Sequence, residues 1–246
     1  MKSSVNSKIA IITGAAGGIG SAILKEFLIK GYFCVVTSSN KQNLKKLKKK
    51  FKDKVHALKV DLTNEKDLIK FKSFLNKTKS IHSCINCAGI NIIKNFNKVT
   101  GKNFDELMKV NLKSVYFINQ MVINKMVKQK YGRIINIGSI WSVVSKEKRT
   151  LYSTSKSGLS GLSRALAAEY SKLNILTNTI SPGFINTKLT EKSLSKNDME
   201  KLKKKIPLKR FGEPEEIADI VYFFGSDQNS YVTGQNILCD GGFSII

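Results

Sequence analysis

No stretch of these 246 residues approaches the roughly 18–20 consecutive apolar residues that span a bilayer, so no membrane partner is expected. The opening, MKSSVNSKIAIITG, also lacks an apolar signal region and a small-residue cleavage site. It runs almost directly into a strand-like segment, and the expectation is a cytoplasmic protein. Arginine is scarce: of 42 basic residues only Arg133, Arg149, Arg164 and Arg210 are arginines, and the lysines are dispersed. Sequence-specific nucleic-acid readers depend on arginine for bidentate base contacts. The net charge of +24 therefore reads as a solvated surface that binds polyanions adventitiously at low salt, with no specific nucleic-acid partner.

Cysteine is thin too. Cys84 and Cys87 form a C-x-x-C, but Cys34 and Cys239 are isolated, and a zinc site wants a second close pair. The motif falls at the end of a strand-like run rather than at the start of a helix, where redox pairs usually sit. Buried, reduced thiols and no metal are expected. Repeats, linkers and low-complexity tracts are missing as well. With 41% apolar and 24% charged residues, residues 1–246 read as one globular domain.

What is present is alternation. Short apolar runs at 8–13, 33–38, 55–61, 81–86, 132–139, 174–181 and 235–242 read as strands. Amphipathic segments near 18–30, 41–51, 64–78, 103–129, 151–172, 187–206 and 213–225 read as helices. Near-continuous apolar strands separated by helices predict an α/β fold, its parallel sheet covered on both faces.

TGAAGGIG, Thr13 to Gly20, joins the first strand to the first helix. Gly14 permits a tight turn, Gly18 a close approach of backbone to a pyrophosphate, and Gly20 close helix–sheet packing. Free N–H groups at the helix start favour phosphate. A carboxylate at the end of the second strand would hold the ribose hydroxyls of NAD. The chain instead has Ser38, Ser39 and Lys41 there, which favours NADP(H) and leaves NAD(H) possible. Lys41 also reads as one of many surface lysines.

In LYSTSKSGLSGL, Tyr152 and Lys156 are four residues apart and share a helix face. A phenol holds its proton to about pH 10. A neighbouring ammonium is expected to bring that value toward working pH, making the tyrosine a general acid or base. Ser139 ends the fifth strand at the sheet edge where ligands of open α/β sheets bind, and its hydroxyl could hold a carbonyl. Asn111 lies within the long helix as a candidate for holding water, though an exposed helix asparagine reads the same way.

These segments together resemble the short-chain dehydrogenase/reductase family: TGAAGGIG, VDLT around Asp61, NCAG (86–89), KVNL with Asn111, NIGS ending at Ser139, YSTSK, SPGFINT (181–187) and CDGG. The resemblance implies a doubly wound Rossmann fold with a seven-stranded parallel sheet, in a homotetramer built on the long helices and the last strand. It implies a catalytic tetrad of Asn111, Ser139, Tyr152 and Lys156. Tyr152 would give its proton to a carbonyl oxygen that Ser139 also holds, while Lys156 would lower the tyrosine pKa and bind the nicotinamide ribose. Asn111 would anchor a water relay. Around the cofactor it implies Gly14, Gly18, Ile19 and Gly20 at the phosphates, and Asp61 and Leu62 at the adenine. Asn86, Ala88 and Gly89 would lie by the ribose, and Pro182, Gly183, Ile185 and Thr187 at the carboxamide.

Within the family the chain looks most like the 3-oxoacyl-acyl-carrier-protein reductases, from GRIINIGS through PGFINTKLT to IPLKRFGEPEEIADIVYFF. An acidic acyl carrier protein would suit basic residues around Lys128, Lys130 and Arg133. The approach to the tyrosine departs from that group: it is Trp141 followed by the charged run SKEKRTL. Trp141, Lys148 and Arg149 are expected to shape a pocket for an anionic or sugar-like substrate; the alternative is that these charges face water. A sugar, polyol or nucleotide-linked sugar is thus a second substrate class. A non-catalytic dinucleotide-binding regulator would be expected to have lost part of the tetrad, and all four residues are present.

Overall fold

The computed structural model describes residues 8–245, so the reading of the first seven residues lies outside the described residues. Seven strands pair in parallel: β1 (Ile9–Thr13), β2 (Phe33–Ser38), β3 (Val55–Lys59), β4 (Ser83–Asn86), β5 (Gly132–Ile137), β6 (Ile175–Pro182) and β7 (Asn236–Cys239). Their order is β3-β2-β1-β4-β5-β6-β7. The chain winds one way from β1 to β3 and the other way from β4 onward. That reversal opens a crevice at the C-terminal ends of β1 and β4.

The helices between them are α1 (Gly18–Ile29), α2 (Lys41–Phe51), α3 (Glu65–Lys77), α4 (Gly101–Met108), α5 (Ser114–Gln129), α6 (Thr150–Tyr170), α7 (Lys188–Ser193), α8 (Lys196–Lys205) and α9 (Pro214–Gly225). All five residues of β1 are buried, because the pleat sends alternate side chains into two cores. Ala10 and Ile12 join Leu24, Phe27, Ile217 and Val221 beneath α1 and α9. Ile9 and Ile11 join Phe71, Leu75, Ile118, Val122 and Met126 beneath α3 and α5. Phe27 sits edge-on to Tyr32 and Tyr222, with centroids 5.0 and 5.3 Å away.

Two helices differ from the sequence reading. The segment read as one helix over 103–129 is α4 and α5 joined by a π turn, Lys109–Lys113, with Asn111 at its centre. The segment read as 187–206 is two helices, since Ser195 accepts from the Asp198 N–H and starts α8 anew.

Arg133 is also corrected. Expected on a basic surface, it is 2% exposed. Its guanidinium donates to the carbonyls of Ser226, Asn229, Gly132 and Asn174, and lies 4.4 Å from the Tyr131 ring centroid. It ties the start of β5 to the loop after α9. Lys128 and Lys130 are exposed, as read.

A buried polar network crosses the sheet. Asn86 Nδ2 donates to Asn119 Oδ1 (2.6 Å) and Asn136 Oδ1 (2.9 Å), and Asn136 Nδ2 donates to Ser163 Oγ (3.0 Å). Ser163 in turn bonds Thr179 Oγ1 at 2.8 Å. Buried amides that pair with one another avoid the cost of lost hydration and fix β4, β5, β6, α5 and α6 in one arrangement.

Candidate active site

The turn after β1 forms the floor of the crevice. Gly14 has φ +67°, and a Cβ there would sit 2.8 Å from the Ala88 backbone, so glycine is required for β1 and β4 to end so close together. Thr13 Oγ1 accepts from the N–H groups of both Cys87 and Ala88, at 3.1 Å each. Gly17 caps α1 with no side-chain hydrogen bond, and no carboxylate lies in the first turn. The N–H groups of Gly18, Ile19 and Gly20 therefore open onto the crevice with the positive end of the helix dipole. A Cβ at Gly18 would meet Thr187 Cγ2 at 2.7 Å, so the start of α7 closes directly over this turn. These features fit the diphosphate of a dinucleotide.

At the outer end of the crevice, Asp61 Oδ1 accepts from Thr63 N–H and Oγ1 at 2.9 and 2.7 Å, which holds the carboxyl below its usual range. Leu62 lines a recess there with Thr63, Leu68 and Lys113. Ser38 is half-buried and accepts from Asn40 N–H, while Ser39 and Lys41 are exposed beside the end of β2.

The four tetrad residues meet at the inner end. Asn111 is fully buried: its Oδ1 accepts from Ile90 N–H, and its Nδ2 donates to the Ile90 carbonyl, both at 2.9 Å, and to Ser155 Oγ at 3.3 Å. The amide pins the loop after β4 to the π turn and to α6, a duty sequence spacing did not reveal. A Cβ built on Gly89 would lie 3.4 Å from Asn111 Oδ1 and 3.6 Å from Lys156 Nζ. Gly89, Asn111 and Lys156 thus face one small volume. Lys156 is 5% exposed, and its Nζ donates to the Ile137 carbonyl at 2.7 Å and lies 5.6 Å from the Tyr152 ring centroid. Ser139, 8% exposed, lies two residues past the end of β5 and accepts from Trp141 N–H at 3.3 Å.

The electrostatics depart from the simple Tyr–Lys expectation. Burial pushes the Tyr152 phenol up to about 12, offset by the Ser139 hydroxyl and then by Arg149. Burial lowers Lys156 to about 8, opposed by Cys87. Lys156 Nζ bonds the Ile137 carbonyl, and both Lys156 and Arg149 lie near the Tyr152 ring or its hydroxyl. Cys84 and Cys87 are likewise pushed up by burial, to about 12 and about 11, as inert thiols are.

Some expected contacts serve as supports. Asn86 is 2% exposed; its Nδ2 donates to Asn119 and Asn136, and its Oδ1 has no partner among the described residues. Ile185 is buried, and its carbonyl accepts from Thr190 Oγ1 at 2.7 Å; Thr187 caps α7 through Thr190 N–H. Pro182 is buried, and Gly183 packs on Asp240, where a Cβ would lie 2.7 Å from the backbone. Lys148 is exposed at φ +64°, whereas Trp141 is buried and Arg149 half-buried against it. Thr13 and the Asn119–Asn136–Ser163 network are supports the sequence reading missed. Their signal was a polar residue within or at the end of an apolar run.

A family model described as "Enoyl-(Acyl carrier protein) reductase" matches residues 14–244. The chain is 35% identical to the 3-oxoacyl-[acyl-carrier-protein] reductase FabG of Aquifex aeolicus, over 98% of this chain and 99% of that one. It is 37% identical to the FabG of Thermotoga maritima, again over 98% and 99%. Among solved structures, 4-hydroxyisoleucine dehydrogenase complexed with NADH is 32% identical with TM-score 0.92, covering 98% of this chain and 100% of that one. A putative gluconate dehydrogenase from Agrobacterium tumefaciens is 26% identical with TM-score 0.91 and 98% coverage of both chains. A family match over residues 14–244, and relatives above 30% identity over nearly the whole length, lead to one conclusion: the chain belongs to the short-chain dehydrogenase/reductase family of oxidoreductases.

Proposed function

We propose that the protein reduces the 3-oxo group of an acyl thioester on acyl carrier protein to the 3-hydroxyacyl form, with NADPH as reductant. The observation that carries this reading is the convergence of Ser139, Tyr152, Lys156 and Asn111 at the inner end of a dinucleotide crevice. The bound nicotinamide would supply hydride to the carbonyl carbon. The residues do the rest. Ser139 Oγ holds the carbonyl oxygen, and Tyr152, protonated throughout the neutral range, delivers its proton to that oxygen. The Ser139 hydroxyl stabilises the phenolate left behind. Lys156 holds the ribose hydroxyls, and its proton re-supplies Tyr152 by way of water positioned at Asn111.

Gly18, Ile19 and Gly20 hold the diphosphate, and Asp61 and Leu62 border the adenine. The absence of a carboxylate beside Ser38, Ser39 and Lys41 supports NADPH over NADH. The 3-oxoacyl-[acyl-carrier-protein] reductases among the relatives support the substrate. Exposed Lys128 and Lys130 suit an acidic carrier. Exposed Phe104 on α4 and Tyr116 on α5 leave apolar surface for a homotetramer; the compartment proposed is the cytoplasm. A second reading, a polyol or sugar-derived alcohol, draws on the Trp141–Arg149 wall and on the likeness to a putative gluconate dehydrogenase.

The test is cofactor consumption with a carrier-linked 3-oxoacyl thioester, comparing NADPH with NADH. Rapid NADPH loss supports the proposal. Turnover of polyols alone, with the thioester inert, would move the function to the second reading.

A further inference from the structure

The proton path leaves the charge on the opposite wall of the pocket unused. Arg149 stands one residue before α6 and three before Tyr152, one helical turn along the same face. Its guanidinium carbon lies 5.6 Å from the Trp141 ring centroid, and Lys146 Nζ lies at the same distance. Trp141 is buried, with Phe184 and Phe243 edge-on to it at 6.1 and 6.4 Å. Arg149 is therefore held against a rigid aromatic wall. Its Nε is out of solvent with no hydrogen-bond partner among the described residues. Nor do Lys146, Lys148 or Arg149 join any ion pair among those residues. An open donor on a partly desolvated cation is unfavourable until an acceptor arrives, and a carboxylate is the acceptor that matches a guanidinium. The surroundings sharpen this need. Lys146 is held below its ordinary pKa by burial, then by Arg149 and Lys205, so positive charges crowd together.

We propose that Arg149 forms an anion subsite on the Trp141 wall, and that the site reduces small oxo acids bearing a free carboxylate. The carbonyl carbon accepts hydride, with a reduced nicotinamide dinucleotide as two-electron donor, and the oxygen accepts the Tyr152 proton. The product is the hydroxy acid, its carboxylate unchanged. The inference rests on the carbonyl chemistry of Ser139 and Tyr152 and not on the acyl carrier.

Trp141 is the only tryptophan in the chain, so its fluorescence reports this subsite directly. The protein with NADP bound is titrated with malonate, and with dimethyl malonate at matched ionic strength. The expected result is a saturable response to malonate alone, weakened about 10- to 100-fold in Arg149→Gln and partly restored in Arg149→Lys. In turnover, Arg149→Gln lowers kcat/KM for acetoacetate by about tenfold or more, and for ethyl acetoacetate by less than about twofold. Equal responses to the diacid and diester, or a wild-type malonate titration in Arg149→Gln, overturns the inference. Equal losses on acetoacetate and its ester also overturn it, because Arg149 then acts on Tyr152 alone. If no carbonyl compound turns over, the carbonyl reading fails, and the malonate titration still decides the subsite.

Discussion

Tyr152 and Lys156 share one helix face, yet burial moves them in opposite directions, the phenol up to about 12 and the ammonium down to about 8. The sign of the pH dependence follows. Tyr152 remains a proton donor across the neutral range, so the group that titrates first is Lys156, cationic below about pH 8 and neutral above it. In the proposed mechanism its charge holds the ribose and re-supplies Tyr152. The kcat/KM for the nicotinamide cofactor, which reports the free enzyme, should fall with a one-proton slope as pH rises through about 8. A profile flat from pH 7 to pH 10 would contradict the assignment. Arg149 retains its proton throughout and adds no inflection.

At the scale of elements, the π turn between α4 and α5 is the feature that brings Asn111 to the tetrad. Single-turn π segments recur at functional sites because the extra residue re-aims a side chain without ending the helix. Replacing Asn111 by Leu removes the partners of Ile90 N–H and its carbonyl. A loss of about 1–3 kcal/mol is expected, with Tm falling by about 4–10 °C. Activity should fall further than stability alone explains. A Leu variant with wild-type Tm and undiminished kcat would show that the amide pins nothing. The sequence could not show this turn, since KVNLK carries the same apolar spacing whether the helix is α or π. It did contain the break between α7 and α8: Ser195 followed three residues on by Asp198 is a helix-start signature. The strands, by contrast, were legible to within three residues, because apolar runs buried in the sheet end where polar turns begin.

For the whole molecule, what sequence spacing misses is contact between distant segments. Arg133 looked like surface charge because its partners, Asn174 and the residues after α9, lie far along the chain. The Asn86–Asn136–Ser163 network was hidden for the same reason. The meeting of Asn111, Ser139, Tyr152 and Lys156 and the glycine turn were legible because their order and spacing form a pattern; the bond from Lys156 Nζ to the Ile137 carbonyl was not, because it depends on where the side chain points. Arg133→Met should cost about 2–3 kcal/mol of stability, a drop of about 5–10 °C in Tm, without weakening capture of an acidic carrier. Lys128→Glu with Lys130→Glu should do the reverse, leaving Tm nearly unchanged and lowering carrier affinity, with the difference shrinking as salt rises. Equal carrier affinity in the Lys pair variant and the wild type would remove that face from the docking surface.

The central claim is that Tyr152 delivers a proton while Ser139 holds the same oxygen. The most direct measurement is single-turnover reduction of an acetoacetyl thioester by Tyr152→Phe beside the wild type, with NADPH affinity measured for both. The account predicts unchanged cofactor affinity and a rate lower by about 10²- to 10⁴-fold. A Phe variant that binds NADPH and reduces the thioester at the wild-type rate would contradict it.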